Sequence, residues 1–356
     1  MTDERLAFLD WMKAIGITLI IYGHVTGGAP LVAIAPIYSK QLGVALFVFA
    51  AGYSLARETR NRWHAAYNRL FEMYLFGLTC ALLWSTVSAA TVGKVTRSNY
   101  LPFMFGLNVL ENAFPANPTT WYIGTYFHLV LVWALALHRL RVTGPILVGG
   151  FVAEIAIRAI LAPLVGGYVA YMLLTNWTTP LLMGLWHGQR RLTTPSVPTP
   201  IAVAGLTIGL GVWVGVAATL SLEPMFPFMR LRDVHPVVDA AAVSSAVSFL
   251  YAVVPWLVFG IVAFRPAPRV VRLLARNTVI LFIAHMPLYY VLLQPARDAV
   301  PDPRVRAVLM LAVCLFGLAA VSEGLRRFVR PRVLRDRVFT LAATIHAKRL
   351  AALVNG

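Results

Sequence analysis

Residues 240–262 read AAAVSSAVSFLYAVVPWLVFGIV, a block of apolar and small residues without a single charge. As a helix rising 1.5 Å per residue it would be about 34 Å long, enough to cross a hydrocarbon layer of about 30 Å. Nine more blocks of this kind flank it: Trp11–Val25, Gln41–Leu55, Leu70–Val87, Trp121–Leu137, Pro145–Ala162, Val169–Trp186, Ile201–Leu220, Thr278–Leu293 and Val305–Val321. The fold expected is all-α, a polytopic transmembrane helical bundle of about ten spans. Composition agrees. Hydrophobic residues make up 59% of the 356 and charged residues only 13%, about half of what a soluble chain carries, and the mean hydropathy is +0.73. An outer-membrane barrel is excluded because its segments are about ten residues long and alternate apolar with polar.

The net charge of +17 is topological rather than a nucleic-acid signal, because the cations sit in short loops and the C-terminal segment. With ten spans and an internal N-terminus, 21 of the 31 Lys and Arg fall on the N-terminal side. Eight fall opposite, and Lys13 and Arg158 lie inside spans. Positive residues accumulate on the cytoplasmic side, so both termini are expected there. Lys13 interrupts the first apolar block and nine spans follow it, which argues for a retained helix rather than a cleaved signal. The chain reads as one transmembrane domain, 1–321, followed by a basic cytoplasmic tail, 322–356, solvated or laid as an amphipathic helix on the inner leaflet. Two long loops, Ser88–Thr120 and Ser221–Val238, are expected to fold over the outer face. Cys80 and Cys314 fall inside apolar blocks and read as free thiols; no metal site is expected.

Ionisable groups inside a bilayer are costly and mark functional candidates. The first span carries Asp10, Lys13 and His24. Lys13 and His24, eleven residues apart, lie on nearly one helical face about 16 Å from each other along the axis. Asp10, one turn before Lys13, is placed to pair with it. His285 lies in span nine. Glu154 and Arg158 are four residues apart in span five and either pair structurally or line a polar pocket. Asn176, Trp177 and Tyr22 are weaker polar candidates, while His128, His187 and His235 near span ends and most tryptophans read as belt or packing residues.

The stretch from Arg5 to His24, with Leu9-Asp10, Lys13-Ala14-Ile15-Gly16 and Tyr22-Gly23-His24, resembles the opening of the acyltransferase family 3 membrane proteins. That family places an Arg or Lys and a His in its first helix with ten residues between them. The Lys-Ala-Ile-Gly run is closest in feel to the fucose 4-O-acetylase-like branch. Leu46 to Tyr53 is similar to the second-helix motif, with Ala51 where Ser is usual. Arg69-Leu70 and Tyr74 match the entry to helix three, with Ala66 and Met73 replacing the usual Arg and Pro. Trp121-Tyr122 resembles the start of a middle helix, and Asn277 to Pro287 the late helix that ends in His-x-Pro.

The resemblance implies a multi-pass enzyme of the bacterial cytoplasmic membrane. It would take an acyl group, usually acetyl, from cytoplasmic acyl-CoA as donor substrate, with no permanently bound cofactor, and pass it to a carbohydrate or glycolipid hydroxyl. On that reading His24 is the general base or a transient acyl carrier, His285 a second catalytic group, and Asp10 the residue holding Lys13. Lys13, Arg69, Arg57 and Arg60 would meet the CoA phosphates, for which guanidinium is well suited. Glu154, Arg158, Trp121, Tyr122 and Asn176 would be acceptor-pocket candidates. The competing reading is a secondary transporter or a polysaccharide-export partner without acyl transfer; transporters commonly carry paired repeats with broken helices, and none is evident in this sequence.

Overall fold

The computed structural model describes residues 6–25, 39–92, 100–114, 118–190, 197–219, 235–263 and 265–355. Arg5, Lys94, Arg97, Arg191, Arg230 and Arg232, and parts of both long loops, lie outside the described residues. Every regular element among the described residues is helical. In chain order these are α1 (Ala7–Val25), α2 (Ser39–Ala56), α3 (Arg62–Val92), α4 (Tyr100–Met104), α5 (Trp121–Leu135), α6 (Gly144–Val165) and α7 (Gly167–Met172). Then follow α8 (Thr178–Gln189), α9 (Thr199–Thr219), α10 (Pro236–Val262), α11 (Arg269–Ala299), α12 (Pro303–Ala312), α13 (Leu318–Phe328) and α14 (Pro331–Asn355). Among the described residues, six helical runs are long and apolar enough to cross a membrane: Ala7–Val25, Arg62–Ala90, Gly144–Val165, Pro236–Val262, Arg269–Ala299 and Pro303–Phe328. The last counts α12 and α13 as one run joined by a π turn at Val313–Gly317.

α2 is the axis of the molecule. Thirteen of its eighteen residues are buried, because α1, α8 and α10 pack around it. Small residues permit the approach, as they do wherever helices meet without a hydrophobic driving force between them. A side chain at Gly43 would meet the Gly16 carbonyl of α1, and one at Gly184 of α8 would meet the Phe49 carbonyl of α2. α1 also packs along α11. α9 instead turns most of its apolar side chains outward.

One expected span is not a single helix. The block 169–186 is split: α7 ends at Met172, Leu173 is extended at φ −65°, ψ 147°, a 3-10 turn covers Leu174–Trp177, and α8 restarts at Thr178. Pro180 sits in the first turn of the restarted helix, where its missing N–H costs nothing. The carbonyls freed by the break find donors at once. Thr125 Oγ1 donates to Met172 O, and Trp177 Nε1 donates to Tyr171 O at 3.0 Å. Irregular backbone within an apolar layer survives only with such partners.

The segment beyond Ser322 is helical. α13 runs across Ser322, which is buried and donates to Asn277 Oδ1 of α11 at 2.6 Å. α14 lies against α3, with the Phe339 ring 5.0 Å from His64 and 5.5 Å from Tyr67.

The α2–α8 contact gives a direct check. Gly184→Ala drives a methyl into backbone that cannot rotate away, and overpacking of this kind costs about 1–3 kcal/mol. The melting temperature of the detergent-solubilised protein, read by fluorescence size exclusion, should fall clearly for Gly184→Ala. Gly209→Ala on α9, where the methyl meets open space, should leave it unchanged or slightly raised.

Candidate functional site

The polar stripe of α1 faces the protein interior. Asp10 is buried and Lys13 half-buried, and both line a cavity of about 1810 Å³. Eleven residues on, about 16 Å deeper by helical rise, the His24 ring lies 5.1 Å from the ring of His285 on α11. The packing of α1 on α11 thus brings together the two histidines that the sequence singles out.

His285 is fully buried. Its Nδ1 contacts the carbonyl oxygens of Leu281 at 3.0 Å and Phe282 at 2.7 Å. Carbonyls only accept hydrogen bonds, so Nδ1 carries the proton and Nε2 presents a lone pair. Nε2 has no hydrogen-bond partner among the described residues. A buried acceptor left open beside a second imidazole suits it to take a proton or an N–H bond.

The histidine pair does not itself line the cavity; an aromatic layer lies between. Phe47, Tyr122 and Phe282 line the cavity's apolar end. The Phe282 ring is 6.2 Å from Phe47, 5.0 Å from Tyr122 and 6.1 Å from His285. Phe282 therefore lies between the cavity and His285. Of the two aromatic candidates from the sequence, Tyr122 is in the cavity wall. Trp121 is not: it stacks on Trp177 at 6.3 Å and 20°, with Tyr171 at 4.8 Å.

The opposite end of the cavity is cationic. Lys13, Arg57 and Arg69 line it, as the sequence suggested. Arg276, Arg326, Arg330 and Arg332 line it too, although in the sequence they read only as part of the charge bias. Against these seven cations stand Asp10, Glu58 and Glu72. Glu58 is taken: Arg60 grips both its oxygens at 2.7 Å and Arg69 lies 3.4 Å away. The Arg60 guanidinium holds the Glu58 carboxyl at about 2, against the usual carboxylate range. Its charge is thus kept at every physiological pH, and the contribution fades only as pH falls toward that value. Glu72 is paired with Arg326 at 2.6 Å. Arg60, expected with the donor-binding residues, is instead tied to Glu58 and faces a separate recess of about 460 Å³ with Arg62 and His138. A bidentate bond to a carboxylate two residues away fixes its direction.

Glu154, Arg158 and Asn176, expected as acceptor-pocket candidates, have almost no solvent-facing surface, at 0%, 2% and 1% exposure. Arg158 donates to Asn176 Oδ1 at 2.5 Å, to Ser248 Oγ at 2.8 Å and to the carbonyls of Ser244 and Asn176. It also makes a short bond to Glu154 Oε1. Glu154 Oε2 accepts the N–H of Thr179 at 2.7 Å. The pair therefore satisfies the backbone where α8 restarts and pins α6 and α10 to it. A sugar hydroxyl would have to break this network to enter. Arg158→Met would strand a buried carboxylate, which costs about 3–5 kcal/mol. The expected outcome is a large drop in melting temperature, whereas a residue that only contacted acceptor would lose turnover with the melting temperature intact.

The sequence model of the family described as "Acyltransferase domain" (Acyl_transf_3) matches residues 6–323. No curated protein and no solved structure matches the chain. The match begins at the first described residue of the α1 segment and takes in the cavity wall as far as α13, so it contains the cation–histidine stripe, the aromatic layer and His285. The chain belongs to this family of multi-pass membrane acyltransferases.

Proposed function

We propose that this protein moves an acyl group, acetyl in the simplest case, from cytoplasmic acyl-CoA to a hydroxyl of a cell-surface or lipid-linked carbohydrate. The observation that carries the reading is the His24–His285 pair, rings 5.1 Å apart, set beyond the apolar end of a cavity whose other end is cationic. CoA is a polyanion with a long thin thioester arm. Its phosphates suit the Arg-rich end, and its arm suits the passage toward Phe47 and Phe282. His24 takes the proton of the acceptor hydroxyl as that oxygen attacks the thioester carbonyl. The C–S bond then breaks and the proton passes to the leaving CoA thiolate. His285, protonated on Nδ1, uses its Nε2 lone pair to orient His24. Lys13, Arg57 and Arg69 hold the donor, and Asp10 positions Lys13.

In the same reading the ten apolar blocks are ten crossings of a bacterial cytoplasmic membrane with both termini inside, which places the cationic mouth where acyl-CoA is made. The bias of 21 cations against eight supports this orientation. The acceptor class follows the likeness of the α1 stretch to the fucose 4-O-acetylase-like branch.

Purified full-length protein in nanodiscs should transfer label from acetyl-CoA to a surface glycan, or hydrolyse it slowly without acceptor. His24→Ala should abolish both while the protein elutes and melts as the parent does; full transfer by this variant would refute the mechanism. His285→Ala should lower kcat by about 100-fold or more, in the range of a lost acid–base contribution. Lys13→Ala should act differently, raising the apparent KM for acyl-CoA about tenfold with a smaller change in kcat.

A further inference from the structure

The family match stops at residue 323, yet the cavity wall does not. Arg326, Arg330 and Arg332 line it, together with Pro331 and Val333. We propose that the elbow between α13 and α14 is a phosphate-binding wall of the donor site, with Arg330 and Arg332 contacting the phosphates at the nucleotide end of CoA. The proposal rests on the acyl-CoA reading above and assigns a part of the donor site to residues beyond the matched domain.

Three features support it. First, the elbow is held in place. Val329 turns the chain in extended geometry at φ −96°, ψ 113°, and buried Pro331 opens α14, where a pyrrolidine ring fits the first helical turn. On one side Arg326 is clamped to Glu72 of α3 at 2.6 Å. On the other, Tyr67 of α3 donates to the Arg335 carbonyl at 3.0 Å, and its ring packs on Phe339. A tail serving only as a charge marker would need no such anchoring.

Second, the two arginines are uncommitted. Arg69, Arg276 and Arg326 each have a carboxylate partner. Arg330 and Arg332 make no ion pair or side-chain hydrogen bond among the described residues, and both are exposed. A guanidinium already neutralised by a carboxylate offers little to a phosphate; an unpaired one offers a charge-assisted, two-pronged contact.

Third, their place on the cavity fits the shape of the donor. They enter its wall on the side of the charged mouth shared with Arg326 and Arg276, whereas Phe47 and Phe282 close the apolar end. Contacts here would act on the phosphates and not on the pantetheine arm.

The test uses the full chain in nanodiscs and compares equilibrium binding of CoA with that of S-acetylpantetheine, which has the arm but no phosphates. Arg330→Ala/Arg332→Ala should weaken CoA binding about tenfold and leave S-acetylpantetheine binding unchanged. The control Arg327→Ala/Arg337→Ala removes the same charge from the two helices that flank the elbow, at positions outside the cavity wall, and should leave CoA binding intact. CoA binding that is unaltered in the first variant, or equally weakened in the control, overturns the proposal. As an independent measurement, Arg330→Cys should be protected from a maleimide reagent by CoA and not by S-acetylpantetheine; absence of CoA protection also overturns it. If the parent protein, folded and monodisperse, binds no CoA at all, the acyl-CoA reading itself fails. That result is distinct from binding that persists without the two arginines.

Discussion

The closeness of α1, α2 and α8 is the constraint from which the site follows. Gly43 and Gly16 let two backbones touch where any side chain would hold them apart, and Gly184 does the same between α8 and α2. With α2 sunk at the centre, α1 is carried inward far enough to lie along α11. Only then do His24 and His285 meet. The catalytic pair of the proposed mechanism is therefore a consequence of small residues elsewhere. The imidazoles themselves contribute little to the approach, since neither can pull two helices together against the packing of the rest.

A second constraint operates on the other side of α2. A helix that breaks in an apolar layer exposes peptide groups that water cannot satisfy. At Leu173–Trp177 the chain meets this cost with side chains from three other helices: Thr125 of α5, Glu154 and Arg158 of α6, and Ser248 of α10 tying the pair together. An ion pair that looks like a pocket in one dimension becomes a fastener in three. Its energy is spent on the scaffold, and every donor of Arg158 is directed into it.

The site is divided by polarity. Charge gathers at one end of the cavity, the paired histidines lie past its apolar end, and the rings of Phe47, Tyr122 and Phe282 separate them. In the proposed reaction the donor substrate itself spans the division, with its phosphates among the arginines and its acyl carbon near the histidines.

Much of this was written along the chain. Hydropathy alone decides that the protein is helical and suited to a membrane, because a block of twenty apolar residues has few other places to go. The spacing of Lys13 and His24 fixes that they share a face, since helical geometry is local. The likeness of Asn277 to Pro287 to a late-helix motif brought out His285, and the family match agrees with that likeness. Other features depended on contacts between distant segments. Pro180 marks 169–186 as a segment that can kink, but what stabilises its break at Leu173–Trp177 lies in other helices. Arg57 enters the cavity and Arg60 does not, although three residues separate them, because Glu58 captures one guanidinium and leaves the other to lie beside Tyr53. Arg330 and Arg332 look like any other basic tail residues until α14 folds back on α3. Periodicity and hydropathy report which face a residue occupies on its own helix; what that face meets is set by how closely the helices pack, and that is decided through space.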